Sequence, residues 1–409
     1  MKGWAEKMGK KAERKLNILI AHNYYQIPGG EDSVVKNETS LLEEQGHNVF
    51  TYKRSNTEIN NMSIIKKFLL PFITIFNIRT FVEVRKIIKD KKIDIIHVHN
   101  TLFLISPSIY FAAKSLKIPV VQTIHNFRLL CVGATFYRSN RICEECIDSG
   151  PFYAVKYKCY RNNIFQTFVC ALSNTIHTVL KTYKSINFIC LTEFNKEKLL
   201  NLKYVNSDRI YIKPNFIKTG TVTEQINGKR NHYIFAGRID ELKGIKVLLQ
   251  AWKLLQQKEI VPELYICGKG PLVSWCEEYL EKNNLTNIKL LGFIDNGKVR
   301  ELISTSKGLV LPTQWYEGFP VSIVEALSVG TPVIGSNIGN VGDIIIDGIT
   351  GKKINGKDPL SLCNAIESLE KEYTFNHKEI SNICKATYGE VRNYETLIAI
   401  YNDIMEKNK

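Results

Sequence analysis

The chain has 409 residues, 44% of them hydrophobic, which is too long for one typical core and points to two globular domains. Lys and Arg number 55 against 40 Asp and Glu, a formal charge of +15 with a pI near 9.2, so anionic partners are favoured: nucleic acid, acidic lipid or phosphorylated substrates. No DNA- or RNA-binding motif is present, and no run reaches the ~20 apolar residues of a membrane span; the nearest, Phe68 to Phe76, is interrupted by Pro71.

Residues 1–15 form a basic leader with no apolar region behind it, which reads as a disordered leader or a short basic helix on a membrane rather than a signal peptide. The expected location is cytoplasmic, at most peripheral on the inner face of the plasma membrane. Ten cysteines in such a compartment argue for thiols or metal rather than disulfides.

Leu16 to His22 reads as the first buried parallel strand. A loop through Gly29 and Gly30 precedes a helix from Val34 to Gln45, and paired glycines there let backbone approach a phosphate. His47 to Tyr52 is the second strand. From Met62 to Lys92 apolar and basic residues mix, which fits either a segment lying in a lipid interface or a helix covering the sheet with its basic face in water. Ile93 to Asn100 and Pro119 to Asn126 are further strands. Their ends carry His97, His99, His125 and Asn126 on the side where α/β sheets bind ligands.

Next come Cys131, Cys143, Cys146 and Cys159, spaced C-x11-C-x2-C-x12-C within a basic excursion over residues 128–161. Four thiolates suffice for a tetrahedral structural zinc; the other reading is four unlinked thiols. A helix over Ile164 to Thr182 and strands at Phe188 and Ile210 follow, and the polar stretch Thr219 to Asn231 separates the domains.

The α/β pattern restarts at Tyr233 to Arg238. Arg238 and Lys243 place two cations at one sheet edge, and Gly268 and Gly270 mark the next strand's turn. Gly308 to Leu311 is a strand, Glu317-Gly318-Phe319-Pro320 a turn into a helix, and Thr331 to Gly335 the next strand. Pro320 suits a first helical position. Glu317 and Glu325 are bidentate acceptors suited to sugar hydroxyls. A helix from about Val391 to Lys407 closes the chain.

Glu317, Gly318, Pro320, Glu325, Ala326, Gly330, Pro332, Val333 and Ile334 together resemble the signature of the retaining GT-B glycosyltransferases, family 4 (glycosyl transferases group 1): E-G-x-P, a second Glu eight positions on, then A-x-x-x-G-x-P-V-I. Gly237, Arg238, Lys243 and Gly244 match the family's G-R-[I/L]-x-x-x-K-G. The resemblance implies two Rossmann-like α/β domains facing a central cleft. The first is an acceptor-binding domain over 16–217 with a Cys-rich insertion, and the second a nucleotide-sugar domain over 218–390. A last helix, 391–409, returns to the first domain.

The resemblance also implies roles. Arg238 and Lys243 would bind the donor diphosphate, Glu317 the donor sugar hydroxyls and Glu325 the ribose. Gly29, Gly30, Gly237, Gly268, Gly270, Gly318, Phe319 and Pro320 would line the donor, His125 would contact sugar or acceptor, and His99 and Asn126 would lie on the acceptor side.

No D-x-D occurs. The expectation is therefore transfer of a hexose-type sugar from a nucleoside-diphosphate sugar without a catalytic metal, to a saccharide or lipid-linked acceptor in capsule, lipopolysaccharide or similar synthesis. The alternatives are a GT-B nucleotide-sugar 2-epimerase and a non-catalytic sugar-nucleotide-binding protein. A dehydrogenase is disfavoured, since no G-x-G-x-x-G follows the first strand.

Overall fold

The computed structural model describes residues 14–26, 29–217 and 230–408. Most of the basic leader and of the polar stretch Thr219–Asn231 lies outside them.

Two six-stranded sheets carry the fold. The first is built from β1 (Asn17–Tyr24), β2 (Asn48–Ser55), β3 (Ile95–Asn100), β4 (Val120–Ile124), β7 (Asn187–Cys190) and β8 (Ile210–Ile212), in the order β2-β1-β3-β4-β7-β8. A short antiparallel hairpin, β5 (Tyr137–Arg138) with β6 (Arg141–Ile142), stands apart. The second sheet comprises β9 (His232–Ala236), β10 (Glu263–Cys267), β11 (Ile288–Gly292), β12 (Ser306–Leu311), β13 (Val333–Ser336) and β14 (Gly351–Ile354), in the order β11-β10-β9-β12-β13-β14. Every pairing in the second sheet is parallel. Its strands are continuous apolar runs because helices cover both faces: Tyr233, Ile234, Phe235, Leu309, Val310, Val333 and Ile334 are all buried. Both domains are thus Rossmann-like, and in each the strand order reverses direction at a switch point, β1/β3 in the first and β9/β12 in the second.

By its contacts the chain divides into two units. The first holds the residues up to Thr123, Ser185–Phe188 and Ile398–Lys409; the second holds Ile124–Lys184 and Ile189–Leu397. The Cys-rich excursion, read from sequence as an insertion in the first domain, packs with the second unit.

Local chemistry sets the element ends. The first helix spans Gly30–Glu44 rather than starting at Val34, because Gly29 caps it and the Asp32 carboxylate accepts the Gly29 N–H at 2.9 Å. The segment 62–92 is three helices, Ile64–Phe68, Leu70–Ile75 and Ile78–Lys91. Pro320 is the cap residue of the helix Val321–Ser328, not its first residue. The last helix spans Glu390–Lys407, and its C-terminal half belongs to the first unit, where the Tyr401 hydroxyl meets His97 Nδ1 at 2.7 Å.

Candidate active site

The loops after β9 and β12 meet at the switch point of the second sheet, where the sheet geometry opens a crevice. After β9 the chain runs through Gly237 and Arg238. After β12 it turns at Pro312 and descends through Thr313, Trp315 and Glu317 into the helix Val321–Ser328. Glu317 is buried, with 5% of its surface exposed. One of its oxygens, Oε1, accepts three bonds: Lys243 Nζ at 2.7 Å, Thr313 Oγ1 at 2.9 Å and Trp315 Nε1 at 3.0 Å. A buried carboxylate survives only when paired and hydrogen-bonded in this way. Asn340 Nδ2 donates to the Glu317 carbonyl at 2.6 Å and to the Gly318 carbonyl, which fixes the loop from the next crossover.

Asp240 organises the cationic side. Its carboxylate accepts the Lys243 N–H at 2.9 Å and also pairs with Arg238 Nε. Arg238 nevertheless keeps 60% of its side chain exposed, so it presents charge outward. Lys243 and Glu317 form the inner pair and Arg238 the outer cation of one loop cluster. Such an arrangement can neutralise a phosphate and hold hydroxyl groups at fixed angles.

Several glycines are there for packing. A Cβ on Gly244 (φ +74) would sit 1.8 Å from the Pro312 carbonyl oxygen, so only glycine lets the β9 and β12 loops touch. On Gly318 a Cβ would sit 2.1 Å from the His125 carbonyl oxygen. Gly268 and Gly270 press on the carbonyls of Gly237 and Ile239, at 1.8 and 2.1 Å by the same measure, so they support the Arg238 loop from behind. Gly237 itself has room, with only the Phe235 ring near 3.9 Å.

Residues 221–385 match the family model for glycosyl transferases group 1, and residues 28–220 match that for glycosyltransferase family 4. Among solved structures, the lipopolysaccharide outer core galactosyltransferase WaaB aligns with a TM-score of 0.65 at 15% identity, over 95% of this chain and 100% of that one. HepE of Anabaena in complex with UDP aligns with a TM-score of 0.64 at 14% identity, over 93% and 98%. The chain is a GT-B glycosyltransferase. In sequence it is 26% identical to an uncharacterized glycosyltransferase of Methanocaldococcus jannaschii, over 90% of this chain and 93% of that protein. It is 25% identical to the UDP-Gal:alpha-D-GlcNAc-diphosphoundecaprenol alpha-1,3-galactosyltransferase of Escherichia coli, over 85% and 83%.

The remaining expected residues of this glycosyltransferase are less tightly gathered. Glu325 lies in the helix after Pro320 and is bonded by Arg300 Nη2 at 3.1 Å. Phe319 packs edge-on to Tyr388 with ring centroids 6.2 Å apart. Asn126 turns its side-chain oxygen to the Arg128 N–H at 3.1 Å. In the first unit, a Cβ on Gly29 would meet nothing within 4 Å, so its surroundings are open, and Gly30 begins the first helix. His99, expected on the acceptor side, lies near the end of β3. It is buried, stacked on His97 with centroids 4.3 Å apart, and its Nε2 lies 3.5 Å from Glu38 Oε1. His97 and His99, two positions apart, share one face of β3, and Glu38 from the first helix lies against both.

Sequence reasoning passed over Thr313, Trp315, Asn340 and Asp240. Asp240 falls at a variable position of the Gly237–Gly244 motif, and Trp315 stands two residues before Glu317 where the motif begins. An indole N–H beside a loop carboxylate was the available signal.

Proposed function

We propose that this glycosyltransferase moves a hexose-type sugar from a nucleoside-diphosphate sugar, with retention of anomeric configuration and without a catalytic metal, to a lipid-linked saccharide in cell-surface polysaccharide synthesis. The observation that carries the reading is the Lys243–Glu317 pair at 2.7 Å beside exposed Arg238. Departure of a nucleoside diphosphate leaves new negative charge on phosphate, and fixed cations stabilise that charge as it forms. Arg238 and Lys243 supply it. Glu317, held in one orientation by Lys243, Thr313 and Trp315, is pre-organised to accept donor-sugar hydroxyls. Glu325 is the acceptor for ribose hydroxyls once Arg300 yields. Gly29 and Gly30 offer backbone to phosphate, and His125, whose carbonyl abuts Gly318, serves the sugar or acceptor.

The names of the relatives support the acceptor class, since the Escherichia coli protein is named for a diphosphoundecaprenol acceptor and WaaB for lipopolysaccharide core. A surface in the first unit supports it independently. Among the described residues no helix is long and apolar enough to cross a membrane. Yet the helices from Ile64 to Lys91 leave Ile64 (75%), Phe68 (77%), Phe72 and Ile78 exposed. Lys66, Lys67, Arg85 and Lys86 lie in the same helices. Apolar side chains interleaved with cations suit an anionic lipid interface, where each Lys or Arg contributes about 1 kcal/mol.

A thermal-shift panel of sugar nucleotides identifies the donor, because a ligand bound only by the folded state raises its stability. Transfer from that donor to a lipid-linked saccharide is then followed with wild type and Glu317→Ala, with the product anomer assigned by NMR. Near-normal transfer by Glu317→Ala, or an inverted product, sinks the reading. A rate that depends on added Mg2+ or Mn2+ removes its metal-independent part.

A further inference from the structure

We propose that the helix Ile164–Val179 and the turns on either side of it form a lipid-contacting surface that seats on an anionic bilayer. The helix follows the Cys-rich excursion, in which Cys131 is buried and Cys143, Cys146 and Cys159 are half-buried. Its start is set locally: the Asn163 side-chain oxygen accepts the Gln166 N–H at 2.9 Å. From Ile164 to Leu180 the sequence has no Asp, Glu, Lys or Arg.

The two faces of this helix are the reverse of what water selects. The side packed on the protein carries Thr167, Val169, Cys170, Ala171, Ser173 and His177, mostly small or polar groups. Polar atoms there find partners inside. Thr167 Oγ1 donates to the Asn163 carbonyl at 2.7 Å, and His177 Nδ1 lies 2.9 Å from Thr182 Oγ1. The outward side carries the large apolar groups: Ile164 is 56% exposed, Phe165 63% and Val179 73%, with Phe168 and Leu180 exposed beside them. Ile164, Phe168, Leu172, Thr175 and Val179 fall in one stripe at helical spacing. An ordinary surface helix turns its apolar stripe to the core. Phe152, at the start of the short helix Tyr153–Lys156, is also exposed and packs on Phe168 with ring centroids 5.8 Å apart. The apolar groups therefore form a patch rather than scattered single residues, and a patch of this kind marks an interaction site.

Charge names the occupant. From Ser149 to Lys184 the sequence contains Lys156, Lys158, Arg161, Lys181 and Lys184, and no Asp or Glu. All of these cations are exposed, and they bracket the uncharged helix at both ends. A second copy of the chain seated on this face by a two-fold axis would bring the same cations against themselves. A bilayer with anionic headgroups answers both features at once. Its acyl boundary takes Ile164, Phe165, Phe168, Val179 and Leu180, and its phosphates take the lysines and Arg161.

Length fixes the mode of contact. The helix has 16 residues, about 24 Å at 1.5 Å per residue, short of the ~30 Å hydrocarbon core. It therefore lies in the interface plane with its outer stripe down. Tyr153 and Tyr157, with ring centroids 5.2 Å apart, supply amphipathic rings of the kind that sit at headgroup level. The Arg138 guanidinium stands 3.6 Å from the centre of the Tyr157 ring and adds a further cation to that cluster. This surface is separate in the chain from the helices between Ile64 and Lys91. It rests on the faces of its own helix and stands with or without the acceptor proposed above.

The test is co-flotation of the full-length protein with phosphatidylglycerol–phosphatidylcholine vesicles, without donor or acceptor, so failure of the transfer reading leaves it untouched. The triple variant Phe165→Gln, Phe168→Gln, Val179→Gln is expected to keep the wild-type thermal midpoint, because it changes exposed positions. Its vesicle affinity is expected to fall at least about tenfold, from the apolar area that no longer leaves water. Lys156→Gln with Lys181→Gln and Lys184→Gln is expected to weaken binding and reduce its salt dependence. If the triple variant does not fold, Phe168→Trp decides: brominated acyl chains should quench the added indole emission relative to wild type. Wild-type vesicle affinity in the folded triple variant, an added indole that bromolipid leaves unquenched, or equal binding to pure phosphatidylcholine overturns the proposal. So does a lipid-free dimer that the triple variant converts to monomer, which would show that a second copy covers the face.

Discussion

Lys243 and Glu317, 74 positions apart, meet at 2.7 Å through the loops that follow β9 and β12. Each needs the other for different reasons. The buried carboxylate requires a cation, and the cation is held near the crevice by that carboxylate. Lys243→Met leaves Glu317 with only Thr313 and Trp315 as partners. Losing a hydrogen bond to a charged group costs about 1.5–3 kcal/mol. The expected result is a measurable drop in thermal midpoint. If Lys243 stabilises the departing phosphate, turnover also falls by about 10²–10³. Denaturation and initial rates on the same preparation separate the two effects, and unchanged turnover in a folded variant contradicts the catalytic role.

Trp315 offers a finer probe of the same carboxylate. Trp315→Phe keeps the ring but removes the N–H that reaches Glu317 at 3.0 Å. Because the acceptor is the Glu317 carboxylate, the expected cost is about 1.5–3 kcal/mol of stability. Donor affinity should weaken if the carboxylate's orientation serves sugar binding. Wild-type affinity by calorimetry together with wild-type stability would show that this bond does neither.

Gly318→Ala places a methyl group where the His125 carbonyl oxygen stands, 2.1 Å away. Backbone cannot yield as a flexible side chain would, so the variant is expected to lose about 1–3 kcal/mol, as overpacked positions do. Gly29→Ala is the control, since nothing lies within 4 Å of the new methyl group. Urea denaturation of the pair should show a clear shift for the first and little for the second.

Stability should fall as pH drops through about 6.5. Burial lowers His22, His232 and His377 from the ordinary histidine value of about 6.5. A histidine depressed in the folded state is protonated first in the unfolded chain, so the unfolded chain binds more protons in that window and stability rises with pH. The stability is therefore present above about 6.5 and lost below it. Carboxylates such as Glu58 and Glu83, lowered from 4.5 by their arginine partners despite burial, lose their contribution only in a more acidic range. Thermal midpoints from about pH 7.5 to about pH 5 should decline before that range is reached. His377→Asn should flatten part of the slope, and a flat wild-type profile would contradict the buried-neutral reading.

Charge and apolar exposure in the helices from Ile64 to Lys91 predict salt-sensitive attachment to anionic vesicles. Neutralising Lys66, Lys67, Arg85 and Lys86 together should weaken co-flotation by about 4 kcal/mol at most, at about 1 kcal/mol per cation. Sugar-nucleotide affinity should be untouched. Protein that remains in solution with anionic vesicles at low salt removes this surface from the acceptor argument.

The sequence by itself determined the two α/β domains, every strand of the two six-stranded sheets but β14, and the string from Glu317 to Ile334 that places this chain among the glycosyltransferases. It could do so because buried parallel strands are unbroken apolar runs and because proline, glycine and acidic turns mark where they stop. β14 was missed, since Gly351-Lys352-Lys353-Ile354 carries two lysines at an edge and reads as a surface turn. Only the tertiary structure decided which charges meet. Spacing put Lys243 and Glu317 at two loop ends, but their contact depends on β12 lying beside β9, which the crossover order sets. The approach of His99 to Glu38, contributed by the first helix far earlier in the chain, is likewise set only by the fold. The glycines follow the same logic: Gly244 and Gly318 are turn residues in the sequence, and only close approach to the carbonyls of Pro312 and His125 makes a side chain impossible there.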